Sequence, residues 1–133
     1  MSKTVQKEIA KVKAKGQKRV KLTGEVFTPI DLCMKMVKEI PAEKLGDPNA
    51  KFLDNSCGDG NFLVALVTVL KNYHPVDHVL NNMVYGVDLM PDNVAAAKER
   101  LRKYGLKEDM VGWHHIVCAD GLSYDYEFEV PAA

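Results

Sequence analysis

Several features that define other classes of protein are missing from this sequence. It has no apolar run long enough to span a membrane, and its lysine-rich beginning lacks the apolar core that directs export. Its three cysteines, Cys33, Cys57 and Cys118, are odd in number and lack the paired spacing of a disulfide framework. We therefore expect no membrane contact, reduced thiols and a cytoplasmic location.

Acidic side chains are scarce at the start of the chain. Residues 1–21 carry eight Lys and Arg side chains against one acidic side chain, whereas the remaining residues carry ten basic and seventeen acidic ones. We divide the chain into a basic N-terminal helix or arm, residues 1–21, and a domain over residues 22–133. A basic arm can bind DNA phosphates, and a solvated terminal helix with no ligand is the alternative.

Apolar residues recur at two kinds of spacing along the domain. Helical spacing predicts helices over residues 30–40, 60–73 and 91–104. Short apolar runs between them predict strands over residues 51–56, 83–89 and 113–119. Because strands alternate with helices, the pattern predicts parallel βαβ units and an α/β fold.

The last part of the chain alternates strictly between apolar and acidic residues. Tyr124, Tyr126, Phe128 and Val130 are separated by single acids, which predicts a half-buried fourth strand over residues 124–130. The outer edge of such a strand would be exposed, and an exposed edge pairs readily with another chain. We expect a homodimer or a protein partner at this edge.

Each of the first three predicted strands is followed by an acidic residue. Asp54, Asp88 and Asp120 stand at these ends, and the carboxyl ends of parallel strands form the ligand-binding edge of an open sheet. Gly58 and Gly60, after the first strand, let the backbone turn tightly and approach a ligand. The combination predicts a nucleoside-like ligand, with Asp88 accepting from ribose hydroxyls and Asp120 from an adenine amino group.

Four ordered motifs over about residues 22–126 resemble those of the Rossmann-like S-adenosyl-L-methionine (SAM)-dependent methyltransferases, specifically the N6-adenine DNA methyltransferases. They are Gly24-Glu25-Val26-Phe27-Thr28-Pro29, Leu53-Asp54-Asn55-Ser56-Cys57-Gly58-Asp59-Gly60-Asn61-Phe62, Tyr85-Gly86-Val87-Asp88-Leu89 and Cys118-Ala119-Asp120-Gly121. The resemblance implies a Rossmann-like fold, truncated to about three or four mostly parallel strands with flanking helices. It implies SAM or S-adenosyl-L-homocysteine (SAH) as cofactor, bound by Phe27, Thr28, Asp54, Asn55, Ser56, Gly58, Gly60, Asp88, Leu89, Asp120 and Gly121.

The sequence departs from this family at two places. Asn55 stands where the family usually has proline. The family's catalytic motif, Asn or Asp followed by Pro-Pro and an aromatic residue, accepts hydrogen bonds from the target base and stacks on it. The corresponding position falls at Val130-Pro131-Ala132-Ala133, and neither Asn-Pro-Pro-Tyr nor Asp-Pro-Pro-Tyr occurs in the 133 residues. We assign no catalytic residue.

Metal or thiol chemistry is not predicted either. His74 and His78 are separated by the helix breaker Pro75, and the adjacent His114 and His115 would point to opposite faces of a strand. Cys57 has no neighbouring base in the sequence that would activate its thiol.

Three functions fit these observations. The first is a SAM-binding accessory or regulatory protein with an incomplete catalytic half. The second is a genuine adenine-N6 DNA methyltransferase that is a fragment, or whose catalytic motif comes from a partner. The third is a non-enzymatic interaction protein such as an anti-restriction decoy. The chain also resembles short phage-encoded methylase-like proteins without the catalytic motif, which implies a phage source and the host cytoplasm.

Overall fold

A sheet of three short parallel strands organises the molecule. The computed structural model describes residues 27–128, so the predicted arm over residues 1–21 lies outside the described residues. The strands are β1 (Phe52–Asp54), β2 (Val84–Asp88) and β3 (Ile116–Cys118). Their order is β1-β2-β3, so β2 is central and pairs with both neighbours. The parallel arrangement confirms the predicted α/β fold, with three of the expected three or four strands.

Helices separate the strands, as the apolar spacing predicts. They are α1 (Ile30–Lys38), α2 (Ala42–Leu45), α3 (Asn61–Leu70), α4 (Val76–Asn82) and α5 (Pro91–Arg102), with a 3₁₀ helix over Val111–His115. Prolines precede or begin several of them, because proline has the backbone φ of a first helical turn and has no N–H to leave unpaired. No described helix is long and apolar enough to cross a membrane.

The main core lies where α3 packs on the sheet. Leu63, Leu66 and Leu70 are fully buried, and each stabilises the fold by about 2 kcal/mol relative to an exposed side chain. Gly86 in β2 faces this helix, because a Cβ there would lie 2.8 Å from Leu63 Cδ1. Helix α1 contacts α3. The close approach of α3 fixes where the β1–α3 loop can lie.

The third strand starts later than the sequence predicts. A strand was expected over residues 113–119, but the 3₁₀ helix occupies Val111–His115 and β3 begins at Ile116. Gly112 explains the difference, because its N–H donates to Asn81 Oδ1 over 2.9 Å and a Cβ at Gly112 would lie 2.1 Å from the Leu80 carbonyl oxygen. This contact with α4 holds the segment in a turn.

The fourth strand predicted over residues 124–130 is not formed in its described part, residues 124–128. Tyr126 has a φ of 59°, in the left-handed region, which interrupts an extended strand. The N–H of Glu127 donates to Asp125 Oδ1 over 3.0 Å, a local turn made by the aspartate side chain. The chain therefore bends where the alternation predicts extension.

The aromatic residues of this segment pack on the sheet instead of extending it. The Phe128 ring lies 4.8 Å from the Tyr85 ring, which stacks on His115 at 4.4 Å. Because side chains alternate along a strand and Gly86 faces α3, Tyr85 points to the opposite face. The strand edge on which a homodimer was predicted is thus not formed over residues 124–128, and the partner itself stays a prediction.

Candidate functional site

The loop from β1 to α3 makes a sharp turn through two glycines. Gly58 has φ 54° and Gly60 has φ 100°, both in the left-handed region that favours glycine. A Cβ on Gly60 would lie 3.0 Å from Ala97 Cβ and 3.1 Å from Ala97 Cα, so the loop lies directly on α5. A Cβ on Gly58 would lie 2.8 Å from the Phe27 ring. Both predicted glycines are therefore required by conformation and by close contact.

Asp88, at the end of β2, holds this loop in place. Its Oδ1 accepts a hydrogen bond from the N–H of Gly58 over 3.1 Å, and its Oδ2 accepts from Met90 N and Asn93 Nδ2, each over 3.0 Å. The side chain is buried, 9% exposed. A carboxylate oxygen has two lone pairs, so Oδ1 keeps capacity for a further donor such as a ribose hydroxyl.

Asp54, at the end of β1, lies in a partly buried position beside the loop. Desolvation raises the pKa of its carboxyl group above the ordinary range. The N–H of Ser56 donates to Asp54 Oδ1 over 3.1 Å and lowers the pKa, whereas the negative charge of Asp88 raises it. Two of the three predicted strand-end acids are thus close enough to influence each other.

A cavity of about 380 Å³ opens in front of the glycine loop. Its volume falls within the range of small-molecule sites. Five of the predicted cofactor residues line it, and they come from two segments of the chain: Phe27, Thr28, Asp54, Ser56 and Gly58. The structure therefore brings the first motif and the glycine motif to one cavity.

Two buried thiols line the same cavity. Desolvation is the main cause that raises the pKa of Cys33 to about 11 and that of Cys57 to about 12, and the negative charge of Asp54 adds to both. A thiol is a nucleophile only as the thiolate, so both are unreactive at neutral pH.

The end of β3 approaches the glycine loop from the other side. A Cβ on Gly121 would lie 2.6 Å from the carbonyl oxygen of Asn55, so glycine is needed for this close approach. Asp120 is exposed, and its Oδ1 accepts from the N–H of Leu122 over 2.9 Å. Leu89 is 62% exposed. The structure brings Asn55 and Gly121 together. Six of the predicted cofactor residues are not among those that line the cavity: Asn55, Gly60, Asp88, Leu89, Asp120 and Gly121.

Comparison with known families agrees with this geometry. A family model described as N-6 DNA Methylase matches residues 11–128. The chain belongs to this family. No curated protein matches the chain significantly. N-6 DNA methylases use SAM as cofactor.

The glycine motif of this N-6 DNA methylase family member is supported by a residue that the motif does not contain. Arg100 Nη1 in α5 lies 2.7 Å from Asn61 Oδ1 and 3.2 Å from the carbonyl oxygen of Asp59, and it donates to both. Its distance to Asp59 Oδ1 is 3.5 Å. Arg100 was not predicted as a site residue. No local sequence pattern could have found it, because Arg100 lies one helical turn after Ala97, whose contact with Gly60 appears only in the folded structure.

Proposed function

We propose that this N-6 DNA methylase family member binds SAM or SAH at the carboxyl ends of its parallel strands and serves as an accessory or regulatory protein. The observation that carries the proposal is the cavity in front of the glycine loop. Two separate predicted motifs line it, although about 25 residues separate them in the chain. A shared ligand would account for the presence of both motifs at one cavity.

The contacts of the loop support a nucleoside-containing ligand. Helix α3 begins directly after Gly60 without a side-chain cap, and the N–H groups of a first helical turn favour polar or anionic ligand groups. Asp88 keeps lone-pair capacity next to the loop. We assign the methionine part of SAM to the side of Phe27 and Thr28, the ribose to Asp88, and the adenine to Leu89, Asp120 and Gly121.

We propose the accessory role because these 133 residues lack groups that catalysis in the family needs. An adenine methyltransferase of this family needs an acceptor amide or carboxylate, a proline-shaped carbonyl and an aromatic ring for the extruded base. Within the 133 residues no Asn-Pro-Pro-Tyr or Asp-Pro-Pro-Tyr supplies them. The proposal is therefore that this chain binds the cofactor and that acceptor chemistry, where it occurs, comes from elsewhere.

Calorimetric titration of the full chain with SAM, SAH and adenosine tests the binding. We expect about one SAM or SAH per chain, and weaker binding of adenosine because it lacks the amino-acid part that would enter the cavity. No heat of binding at millimolar SAM and SAH would overturn the proposal and favour a non-enzymatic interaction protein. Equal affinity for adenosine and SAM would contradict the assignment of the methionine part of SAM to Phe27 and Thr28.

The second candidate is an active adenine-N6 DNA methyltransferase, and family membership favours it. Incubation of the chain at high concentration with methyl-labelled SAM and unmethylated DNA separates it from the accessory role. Transfer of label to adenine would show activity and overturn the accessory role. Absence of transfer, together with stoichiometric SAM binding, is the result that the accessory role predicts.

We further propose that the basic residues 1–21 contact DNA. Phosphate contacts release counterions, so such binding weakens steeply with salt. Deleting residues 1–21 should leave SAM affinity unchanged and reduce the salt dependence of DNA binding. Unchanged DNA affinity after the deletion would exclude this segment as a phosphate contact. A homodimer or protein partner and a phage source stay predictions.

A further inference from the structure

One arginine spans the turn of the glycine loop. Arg100 projects from α5, and its Nη1 donates to the Asp59 carbonyl oxygen and to Asn61 Oδ1, on the two sides of Gly60. Its side chain is 32% exposed, so these contacts are partly shielded from water. A single guanidinium group thus fixes the backbone before the glycine and the side chain after it.

The contact with Arg100 also decides how the Asn61 amide is oriented. A guanidinium group only donates hydrogen bonds, so the Asn61 atom that faces it must be the carbonyl oxygen. The amide nitrogen then points the other way, where it donates to the carbonyl oxygen of Thr28 over 2.7 Å. The reversed amide would place a donor against Arg100 and an acceptor against Thr28, and both contacts would be repulsive.

The Thr28 carbonyl belongs to the segment that forms one wall of the cavity. Phe27 precedes it, and its ring lies directly over Gly58. The Cys33 thiol donates a longer hydrogen bond to the same carbonyl, with 3.7 Å between Sγ and O. Asn61 is therefore the strong polar tie between this wall and the start of α3.

We propose that Arg100 is a positioning residue for the cofactor site, which acts through the Asn61 amide to hold Phe27 and Thr28 against the glycine loop. The inference rests on the proposed SAM binding for its functional meaning. It assigns a role in shaping the methionine side of the site to a residue that lies outside the cavity lining. The alternative is that Arg100 anchors only the loop backbone at Asp59.

Two substitutions separate the proposed role from its alternative. In the proposed role, the relay, Arg100 acts through Asn61 on Thr28; in the alternative, a simple anchor, it holds only the Asp59 backbone. Arg100→Ala removes both contacts, whereas Asn61→Asp keeps an acceptor for Arg100 and removes the donor to Thr28. An aspartate in the first turn of α3 also favours the helix, so any loss from Asn61→Asp is not a loss of helix stability. Arg102→Ala is the matched control, because Arg102 lies on the same helix but pairs with Glu99 and Glu108 on the surface.

Calorimetry with SAM gives the first measurement. We expect Arg100→Ala and Asn61→Asp each to weaken SAM binding about tenfold, as expected for a lost hydrogen bond to a charged or buried polar group, and Arg102→Ala to leave it unchanged. The double variant should bind SAM no more weakly than either single variant, because both substitutions break the same chain of contacts.

Rescue by free guanidinium is a further test of the relay. Low-millimolar guanidinium should restore SAM binding to Arg100→Ala but not to Asn61→Asp, with sodium chloride of equal ionic strength as the control. Additive losses without rescue would overturn the relay.

Hydrogen exchange of the ligand-free full chain gives a second measurement that does not depend on SAM. The relay predicts faster amide exchange around Phe27 and Thr28 in both variants, and faster exchange in the glycine loop only in Arg100→Ala. Faster exchange confined to the loop in Arg100→Ala, with residues 27–30 unchanged, would show a simple anchor and overturn the proposal. Absence of SAM binding by the unmodified chain would refute the proposed function, and the exchange data would still decide on the relay.

Discussion

Asp88 and Asp120 lie at the ends of neighbouring strands, but their surroundings differ. Asp88 is buried and accepts hydrogen bonds from Gly58, Met90 and Asn93. Asp120 is exposed and accepts from the N–H of Leu122, two residues further along the chain. One carboxylate joins three parts of the fold, whereas the other closes a local turn.

The difference divides the candidate site into a side that the protein itself organises and a side open to solvent. The β1–β2 side has its loop, its cavity and its buried thiols held by contacts between distant parts of the chain. On the β3 side, Leu89 and Asp120 lie exposed. A site organised in advance loses less freedom when a ligand binds, so we expect the β1–β2 side to supply the specificity of binding.

Gly60→Ala should have the largest effect, because it breaks the organised side. A side chain at φ 100° costs about 1–2 kcal/mol, and crowding against Ala97 adds about 1–3 kcal/mol to the loss of folding free energy. Gly105→Ala is the matched control, since Gly105 also has a positive φ of 110° but nothing lies within 4 Å of its added Cβ. Urea unfolding of both variants measures the difference. Equal destabilisation would mean that α5 does not confine the loop.

Asp88→Ala and Asp120→Ala compare the two sides directly. Loss of the Asp88 carboxylate leaves the buried Gly58 N–H unpaired, so we expect a loss of about 2–3 kcal/mol in unfolding free energy. SAM affinity should fall about ten- to a hundredfold, because the contact with the ribose is lost and the loop is loosened. Asp120→Ala should change stability by only about 0.5 kcal/mol, as for an exposed position, and should weaken SAM binding through the adenine.

Urea unfolding and calorimetry on the same two variants check this contrast. Unchanged SAM affinity in Asp88→Ala would refute its assigned ribose contact. Equal stability losses in the two variants would remove the distinction between an organised and an open side.

The parts of the fold that the sequence predicted are those set by local apolar spacing. Runs of buried side chains placed β1, β2 and the helices between them, and the glycines marked the turn, because each signal lies within a few neighbouring residues. Asp54 and Asp88 end β1 and β2, as this pattern predicted, whereas β3 ends at Cys118, two residues before Asp120.

The parts that were missed depend on contacts between distant segments. Gly112 turns the chain because of Leu80 and Asn81 in α4, which no local pattern reveals. Alternation over residues 124–130 is the same whether rings line a strand or cluster around Tyr85. Arg100 supports the glycine loop from another helix, so its role appears only once α5 is placed beside the loop.

Thiol reactivity gives a third comparison between the organised side and the open side of the site. Cys33 and Cys57 lie on the organised side, with pKa values raised to about 11 and about 12 from 9.0, whereas Cys118 is exposed on the β3 side. A rise of two units lowers the thiolate fraction about a hundredfold. With a thiol reagent at pH 8, we expect one thiol per native chain to react rapidly and two at least about a hundredfold more slowly. Fast reaction of Cys57 would show that the cavity opens in solution, and Cys118→Ser should remove the fast phase.

The pH dependence of stability should show the smallest effect, and it arises on the β3 side. His115 stacks on the Tyr85 ring and meets the Phe128 ring edge-on, and desolvation, helped by the positive charges of Lys51 and His114, lowers its pKa below 6.5. The folded state therefore favours the neutral ring, and the unfolded chain binds the proton more readily. The stability that the neutral His115 ring contributes is therefore complete above pH 6.5. It is lost as the pH falls below 6.5 through the folded-state pKa.

His115→Phe tests this assignment, because phenylalanine keeps a ring against Tyr85 and Phe128 and cannot titrate. Urea unfolding from pH 7.5 to pH 5 should show a shallower loss of stability in the variant than in the unmodified chain. His78→Gln is the control, since His78 is only partly buried and bonds the Pro48 carbonyl away from this cluster, and its variant should keep the original slope. An unchanged slope in His115→Phe would mean that the ring cluster does not exclude the proton, and the β3 side would then be more open than the structure describes.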